Sequence, residues 1–202
     1  MRPLVVAEFN VLLDPFPDNY GGYLIRTDFR IGVQIALALA DDDLADTEKA
    51  ATALYLLYGE GVPRDLNLAF KGLRWFMKGG ELRGIATDDE EEDDDAEGED
   101  IFSFEYDALR LYSGFLKTYS INLNTARVHW FEFLGLLTDL GECAFSTVVS
   151  YRKKDTSGMT PTQRNEAEKM KRKYALPRRL SDEDQARIAE FLEALPTAND
   201  KE

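Results

Sequence analysis

The sequence predicts a mainly α-helical protein: a compact helical domain with a short N-terminal β-hairpin or extended segment, a disordered acidic loop and a C-terminal helical appendage. Three observations predict it. Apolar residues recur at helical spacing along most of the chain. Asp, Thr, Asn, Pro and Gly fall where helices start and stop. Charge is segregated into one acidic and one basic block. With 202 residues, 44% of them hydrophobic, the chain can build one domain with a core plus appendages. The expected division is a helical core over residues 1–152, interrupted by an acidic insertion at about 84–101, and a basic linker with C-terminal helices over 153–202.

Each element has its own signal. Residues 4–13 and 20–27 are apolar or β-prone runs flanking Asp14-Pro15-Phe16-Pro17-Asp18-Asn19, the pattern of two strands joined by a turn or of two extended segments. Thr27 is a suitable N-cap for an apolar helix over 29–40, which ends in Asp41-Asp42-Asp43. Asp46 or Thr47 opens a second helix that reaches Tyr58 and closes at Gly59-Glu60-Gly61. Pro63-Arg64-Asp65 opens a third, stopped by Gly79-Gly80. Short connections make these three antiparallel neighbours.

Beyond the acidic stretch, Ser103 precedes a helix to Tyr119 with Phe104, Ala108, Leu111, Tyr112 and Phe115 on its apolar side. Asn122 or Asn124 caps the next helix, which ends near Gly141, and residues 145–152 add a short one. Gly158 and Pro161 mark a linker into a charged helix over 162–174, whose apolar face is too slight for it to fold alone. Ser181-Asp182-Glu183-Asp184 resembles a capping box for a last helix over 183–195.

The net charge of −14 is concentrated: residues 88–100 hold eleven acids and no base, leaving −3 for the rest. Overall charge therefore does not suggest a duplex-binding surface. Stacked like charges with few apolar residues cannot offset the entropy of ordering, so this stretch is expected to be a solubilising loop. Residues 150–180 hold ten Lys or Arg against three acids. With only Tyr151 and Tyr174 interleaved, a solvated tail or pairing with the chain's own acid run is a simpler expectation than phosphate binding. The lone Cys143 excludes an intramolecular disulfide and fits a reducing compartment. No signal peptide is evident and no stretch approaches the ~18 apolar residues of a membrane span, so a soluble, intracellular protein without a membrane partner is expected.

The inventory for chemistry is short. His129 is the only histidine. It lies three residues from Glu132 and is expected among Phe133, Leu136 and Leu140 as a satisfied core side chain rather than a ligand or general base. A di-iron bundle needs two Glu-x-x-His pairs, and the second is missing. Cys143 has no second histidine to activate it. There is no Gly-x-Ser-x-Gly elbow, phosphate-cradling loop or dinucleotide fingerprint, and Gly21-Gly22 and Gly79-Gly80 read as turns. A non-enzyme with no catalytic residue, metal or cofactor is expected.

Two segments carry more aromatic surface than one buried face absorbs. In the third helix Leu66, Ala69, Phe70, Leu73, Phe76 and Met77 fall within about 120° at ~100° per residue and read as the core stripe. Leu68 and Trp75 lie on the other side, beside Lys71 and Lys78. In the later helix Ala126, Trp130, Phe133, Leu134, Leu136, Leu137 and Leu140 share one broad face, and Val128 and Phe131 fall behind it. Leu68, Trp75, Val128 and Phe131, rimmed by Lys71 and Lys78, are therefore the candidate partner-binding residues, unless another helix of the same domain covers them.

A family resemblance runs through the same segments. It is carried by Tyr23-Leu-Ile-Arg-Thr-Asp-Phe-Arg30, Leu54-Tyr-Leu-Leu-Tyr-Gly59 and Ala69-Phe-Lys-Gly-Leu-Arg-Trp-Phe-Met-Lys-Gly-Gly80. Phe104-Glu-Tyr-Asp107, Leu111-Tyr-Ser-Gly-Phe115, Tyr119-Ser-Ile-Asn-Leu123, His129-Trp-Phe-Glu-Phe-Leu134 and Tyr151-Arg152 complete it. In this order and spacing the chain resembles a family of bacteriophage proteins encoded near the tape measure gene of long non-contractile tails, grouped with tail assembly chaperones. The long acid insertion and the extended C-terminal region depart from that pattern. The resemblance implies a largely helical, non-catalytic protein that binds and shields the tape measure protein during tail tube assembly. The implied partners extend to the tail tube protein, a second chaperone or another copy of the chain, with nucleic acid disfavoured. The implied location is the cytoplasm of the infected host, with absence from the mature virion. A competing expectation is an acidic inhibitor or adaptor that engages a basic or nucleic-acid-binding partner through residues 88–100.

Overall fold

In the computed structural model, described over residues 10–80 and 101–177, seven α-helices follow one small β-hairpin. The expected acidic loop up to residue 100, the expected strand residues 4–9 and the last helix lie outside the described residues. Strands β1 (Asn19–Tyr20) and β2 (Tyr23–Leu24) pair antiparallel with Tyr20 opposite Tyr23. Gly21 and Gly22 both have positive φ, 59° and 85°, the requirement of a two-residue hairpin turn whose twist matches the strands. The hairpin therefore closes within the second β-prone run. Residues 11–13, expected to be strand, form a turn in which the Leu12 amide donates to Asn10.

Helix α1 (Phe29–Leu39) starts where expected, but its cap is Asp28 rather than Thr27: the Asp28 carboxylate accepts the Arg30 amide at 3.0 Å. In α2 (Asp46–Tyr58) Ala45 has no side-chain acceptor, so Glu48 reaches back to its amide at 2.9 Å. A 3₁₀ turn, Gly59–Gly61, links α2 to α3 (Leu66–Met77). Asp65 caps α3 by accepting the Asn67 and Leu68 amides. Gly79 and Gly80, at φ 69° and 78°, end it as their amides donate back to Phe76 and Trp75. Helix α4 (Ala108–Tyr119) is shorter than expected, since residues 104–107 are turn.

The largest departure concerns α5 (Trp130–Thr138), expected to begin near Asn122 or Asn124. Asn122 and Thr125 form a local turn instead, and residues 126–129 run extended beside Thr27-Asp28. The Phe29 amide donates to Val128 at 2.9 Å and the Trp130 amide to Thr27 at 2.7 Å, an isolated bridge that ties the entrances of α1 and α5 together. Arg30 reinforces it with hydrogen bonds to the carbonyls of Leu123 and Ala126. Helix α6 (Ala144–Lys153) packs on α4, and α7 (Pro161–Tyr174), opened by Thr160 with Pro at its first position, packs on α6.

The core is an aromatic column. Phe76, Trp130, Phe133 and Phe115 stack in sequence at centroid separations of 6.0, 5.6 and 5.0 Å. Phe29 stacks on Phe133 from α1 at 4.9 Å. Two helical glycines let neighbours approach this column. A Cβ on Gly32 would stand 2.3 Å from the Trp130 ring. One on Gly72 would meet the Tyr58 hydroxyl at 2.0 Å and the Tyr20 ring at 2.7 Å, both backed by packed structure.

Gly72→Ala is expected to lower stability by about 1–3 kcal/mol despite alanine's better helix propensity, because it overpacks the α2–α3–hairpin junction. Gly135→Ala in α5, where a Cβ meets nothing within 4 Å, should instead raise stability by roughly 0.5–1 kcal/mol. Urea denaturation of both variants checks the pair; a neutral Gly72→Ala would refute the close contact.

Candidate functional site

Helix α3 faces the core differently from its apolar stripe. Ala69, Gly72, Leu73, Trp75 and Phe76 are buried, whereas Leu66 and Phe70, expected inside, are exposed at 58% and 40%. At ~100° per residue the buried arc is turned by roughly 80° from the expected one. The cause is two-sided packing: α2 covers one flank of α3 and the N-terminal hairpin with Phe131 covers the other. Trp75 meets Tyr20 at 5.0 Å and Phe131 at 5.1 Å, and Leu68 lies half-buried over Gly21.

The expectation that Trp75, Val128 and Phe131 form an uncovered surface is therefore corrected. All three are buried, Phe131 at 1% exposure; Trp75 of α3 and Phe131 of α5 cover each other, as the alternative of coverage by another helix expected, and Tyr20 of the hairpin and Phe16 complete the cover. Val128 also precedes α5, so the helical placing that set it behind the apolar face does not apply. Lys71 and Lys78 are exposed as expected. What α3 presents outward is Leu66, Asn67, Phe70, Lys71, Arg74 and Lys78. Two large apolar side chains one turn apart thus sit beside three cations, none of which has an ion pair among the described residues.

His129 also departs from its expected surroundings. It is the N-cap of α5, its Nδ1 accepting the Phe131 amide at 3.1 Å, and its Nε2 lies 3.1 Å from the Pro17 carbonyl. An accepting Nδ1 leaves the proton on Nε2, which donates to Pro17, so the neutral ring is fully bonded. Phe16 stacks on it at 4.8 Å and Phe131 abuts it edge-on. Burial holds the imidazole below its ordinary value, against the Pro17 hydrogen bond and the charges of Glu132 and Asp18. The ring pins residues 16–17 over Phe131; it has no free nitrogen for catalysis.

A second polar centre had no signal in composition or periodicity. Asp107, at 0% exposure, receives Arg152 through Nη1 and Nη2 at 2.6 and 3.1 Å, Arg110 at 2.8 Å and the Ser103 amide at 3.1 Å. Burial alone would raise this carboxyl, but the hydrogen bonds and charges of the two guanidiniums and the Ser103 amide hold it below its usual range. Arg152 also donates from Nε to the Tyr174 carbonyl at 2.6 Å and from Nη1 to the Ile101 carbonyl at 3.1 Å. The one hint available was that Asp107 and Arg152 each end a quoted motif, Phe104-Glu-Tyr-Asp107 and Tyr151-Arg152. Nothing in the sequence said they meet.

A cleft of about 560 Å³ opens between α6 and α7, lined by Tyr151, Lys154, Met159, Gln163, Glu166 and Met170. Among the described residues no group of three His, Cys, Asp or Glu could hold a metal ion, and no helix is long and apolar enough to cross a membrane. Cys143 is buried between α4 and α6, its sulfur beside Gly114. The alternative acidic interaction segment, residues 88–100, lies outside the described residues.

A family model described as bacteriophage Gp15 protein matches residues 14–176, from the Phe16 strap to the end of α7. The chain belongs to this bacteriophage family. No curated protein and no solved structure matches it. The bacteriophage Gp15 match takes in both polar centres and the whole outward face of α3.

Two outcomes test these centres. Arg152→Ala strands the buried Asp107 carboxylate with Arg110 alone and should cost about 3–5 kcal/mol; urea denaturation showing less than ~1 kcal/mol would refute its anchoring role. For His129 the folded-state value lies below the unfolded value of about 6.5, so its contribution is complete above that pH and lost as pH falls through the folded value. His129→Asn keeps a cap acceptor, and thermal melts between pH 7.5 and 5 should show a flatter pH dependence than the parent; parallel curves would exclude His129 as its source.

Proposed function

We propose that this bacteriophage protein is a non-catalytic tail assembly chaperone that binds the tape measure protein and shields its apolar helices until the tail tube assembles around them. The observation that carries the reading is the outward face of α3, where Leu66 and Phe70 stand exposed one turn apart beside Lys71, Arg74 and Lys78. Exposed aromatic and aliphatic side chains at i and i+4 fit the apolar stripe of a client helix laid alongside. Cations at i, i+3 and i+7 of the same helix, without an ion pair among the described residues, select a client stripe flanked by Asp or Glu, by charge complementarity. Membership of a bacteriophage family supports a phage role of this kind. Trp75 and Phe131, packed together on the buried side of α3, hold the helix rigid behind the contact, and Lys71 and Lys78 remain at its rim.

The test is co-expression with the tape measure protein of the same phage. Leu66→Asp combined with Phe70→Asp should leave the thermal melt within about 1 kcal/mol of the parent, as expected for surface positions, and should abolish co-purification and client solubility. A folded double variant that still solubilises the client overturns α3 as the contact. Failure of the parent protein itself to bind the client overturns the chaperone reading.

A further inference from the structure

We propose that the basic surface formed by the ends of α6 and α7 is a docking site for this chain's own acidic segment, residues 88–100. Arg152 places the two side by side. Its guanidinium bonds the carbonyl of Ile101, the first described residue after the acidic segment, and the carbonyl of Tyr174, the last residue of α7. The chain therefore leaves the acidic segment and enters the fold on one side of this guanidinium, and α7 ends on the other.

What surrounds that point is cationic. Residues 150–177 carry eight Lys or Arg and three acids, a net of +5. Lys169, Arg172 and Lys173 are exposed on the last turns of α7, and Lys153 and Lys154 on the end of α6. Lys173 lies over the Tyr174 ring, which stacks on Tyr151 at 5.6 Å, so the cationic turn is held against α6 rather than fraying. Asp107 is already saturated by Arg152 and Arg110 and removes no charge from this surface beyond that pair. Asp155, Glu166 and Glu168 are the acids that oppose it; at Asp155, hydrogen bonds from Ser157 and then the charge of Lys171 hold the carboxyl below the ordinary value.

Reach and charge both select the tethered segment. An extended chain rises at most about 3.3–3.6 Å per residue, so the four residues before the anchored Ile101 give a reach of up to roughly 14 Å. Lys169 stands about 7.5 Å along the helix axis from Tyr174. Tethering at one end supplies a high effective concentration that a free anion lacks. With Arg152 taken up by Asp107 the surface keeps a net of +4, and eleven acids against it leave the pair net acidic, so a basic helix that would otherwise attract polyanions is screened by its own chain.

Zero-length carbodiimide cross-linking of the full chain, prepared as a mixture of ¹⁴N and ¹⁵N protein, tests the contact. Expected are cross-links within one molecule joining Glu97, Glu99 or Asp100 to Lys169, Lys171 or Lys173, lost in 1 M salt. Cross-links only between labelled and unlabelled copies would assign the surface to a second copy, and none from the acidic segment to α7 would overturn the proposal. In a second measurement the eleven acids are replaced by Ser and Asn at unchanged length, with circular dichroism confirming the helices. Heparin affinity at low salt should rise by about tenfold or more; an unchanged affinity overturns the proposal.

Discussion

The fold depends on how the chain enters α5. Within four residues, Trp130, Phe131 and Phe133 are each almost completely buried, and they point to three different neighbours. Trp130 lies against Gly32 of α1 and Phe76 of α3, Phe133 between Phe29 and Phe115, and Phe131 against Trp75 and the His129–Phe16 pair. A helix turns about 100° per residue, so the three rings span roughly 160° of the first turn of α5, wider than a single stripe, with Glu132 exposed on the remaining side. Helices α1, α3 and α4 and the Phe16 segment each supply a ring to that turn. Truncating any such ring would typically cost about 3–5 kcal/mol, and the backbone bridge to Thr27-Asp28 together with Arg30 fixes the turn's position by hydrogen bonds independent of the rings.

That constraint explains which features were legible in the sequence. Helix ends announced by local chemistry were read closely: α2 ends at Tyr58 before Gly59, α3 lies between Asp65 and Gly79, and α7 follows Thr160-Pro161. Caps and glycine stops act within one turn, so sequence neighbours carry their signal. The start of α5 was misplaced because Asn122 makes a convincing local cap and still loses to a partner about a hundred residues away, the Thr27-Asp28 segment. Likewise, the hydrophobic stripe of α3 gives the correct period and the wrong phase. Phase depends on how many elements cover a helix, and the hairpin that covers Leu68 and Trp75 comes from a separate part of the chain.

The candidate site follows the same logic. An excess of aromatic surface on α3 and α5 is real, but Trp75 and Phe131 absorb part of it on each other, and Tyr20 of the hairpin and Phe16 cover the rest. Lys71 and Lys78 could be placed outside from charge alone, since ammonium groups do not stay in an aromatic core unpaired. Asp107 with Arg152 could not be placed at all. A buried carboxylate with two guanidiniums looks, residue by residue, like ordinary surface charge, and only long-range contact reveals that it joins α4, α6, α7 and residue 101.

Consuming the aromatics internally also bears on how strongly α3 can hold a client. Leu66 and Phe70 are each only partly exposed, and burying a large apolar side chain completely contributes about 1.5–3 kcal/mol. Association costs at least ~4 kcal/mol in lost translational and rotational freedom. Two anchors alone therefore fall near balance, and the remainder must come from Lys71, Arg74 and Lys78 at the rim and from repetition along a long client helix. A weak site used many times suits the proposed chaperone role better than a deep groove lined by Trp75 and Phe131 would. Each contact can release as tube subunits arrive, whereas extracting a buried tryptophan from its pocket would oppose assembly at every step.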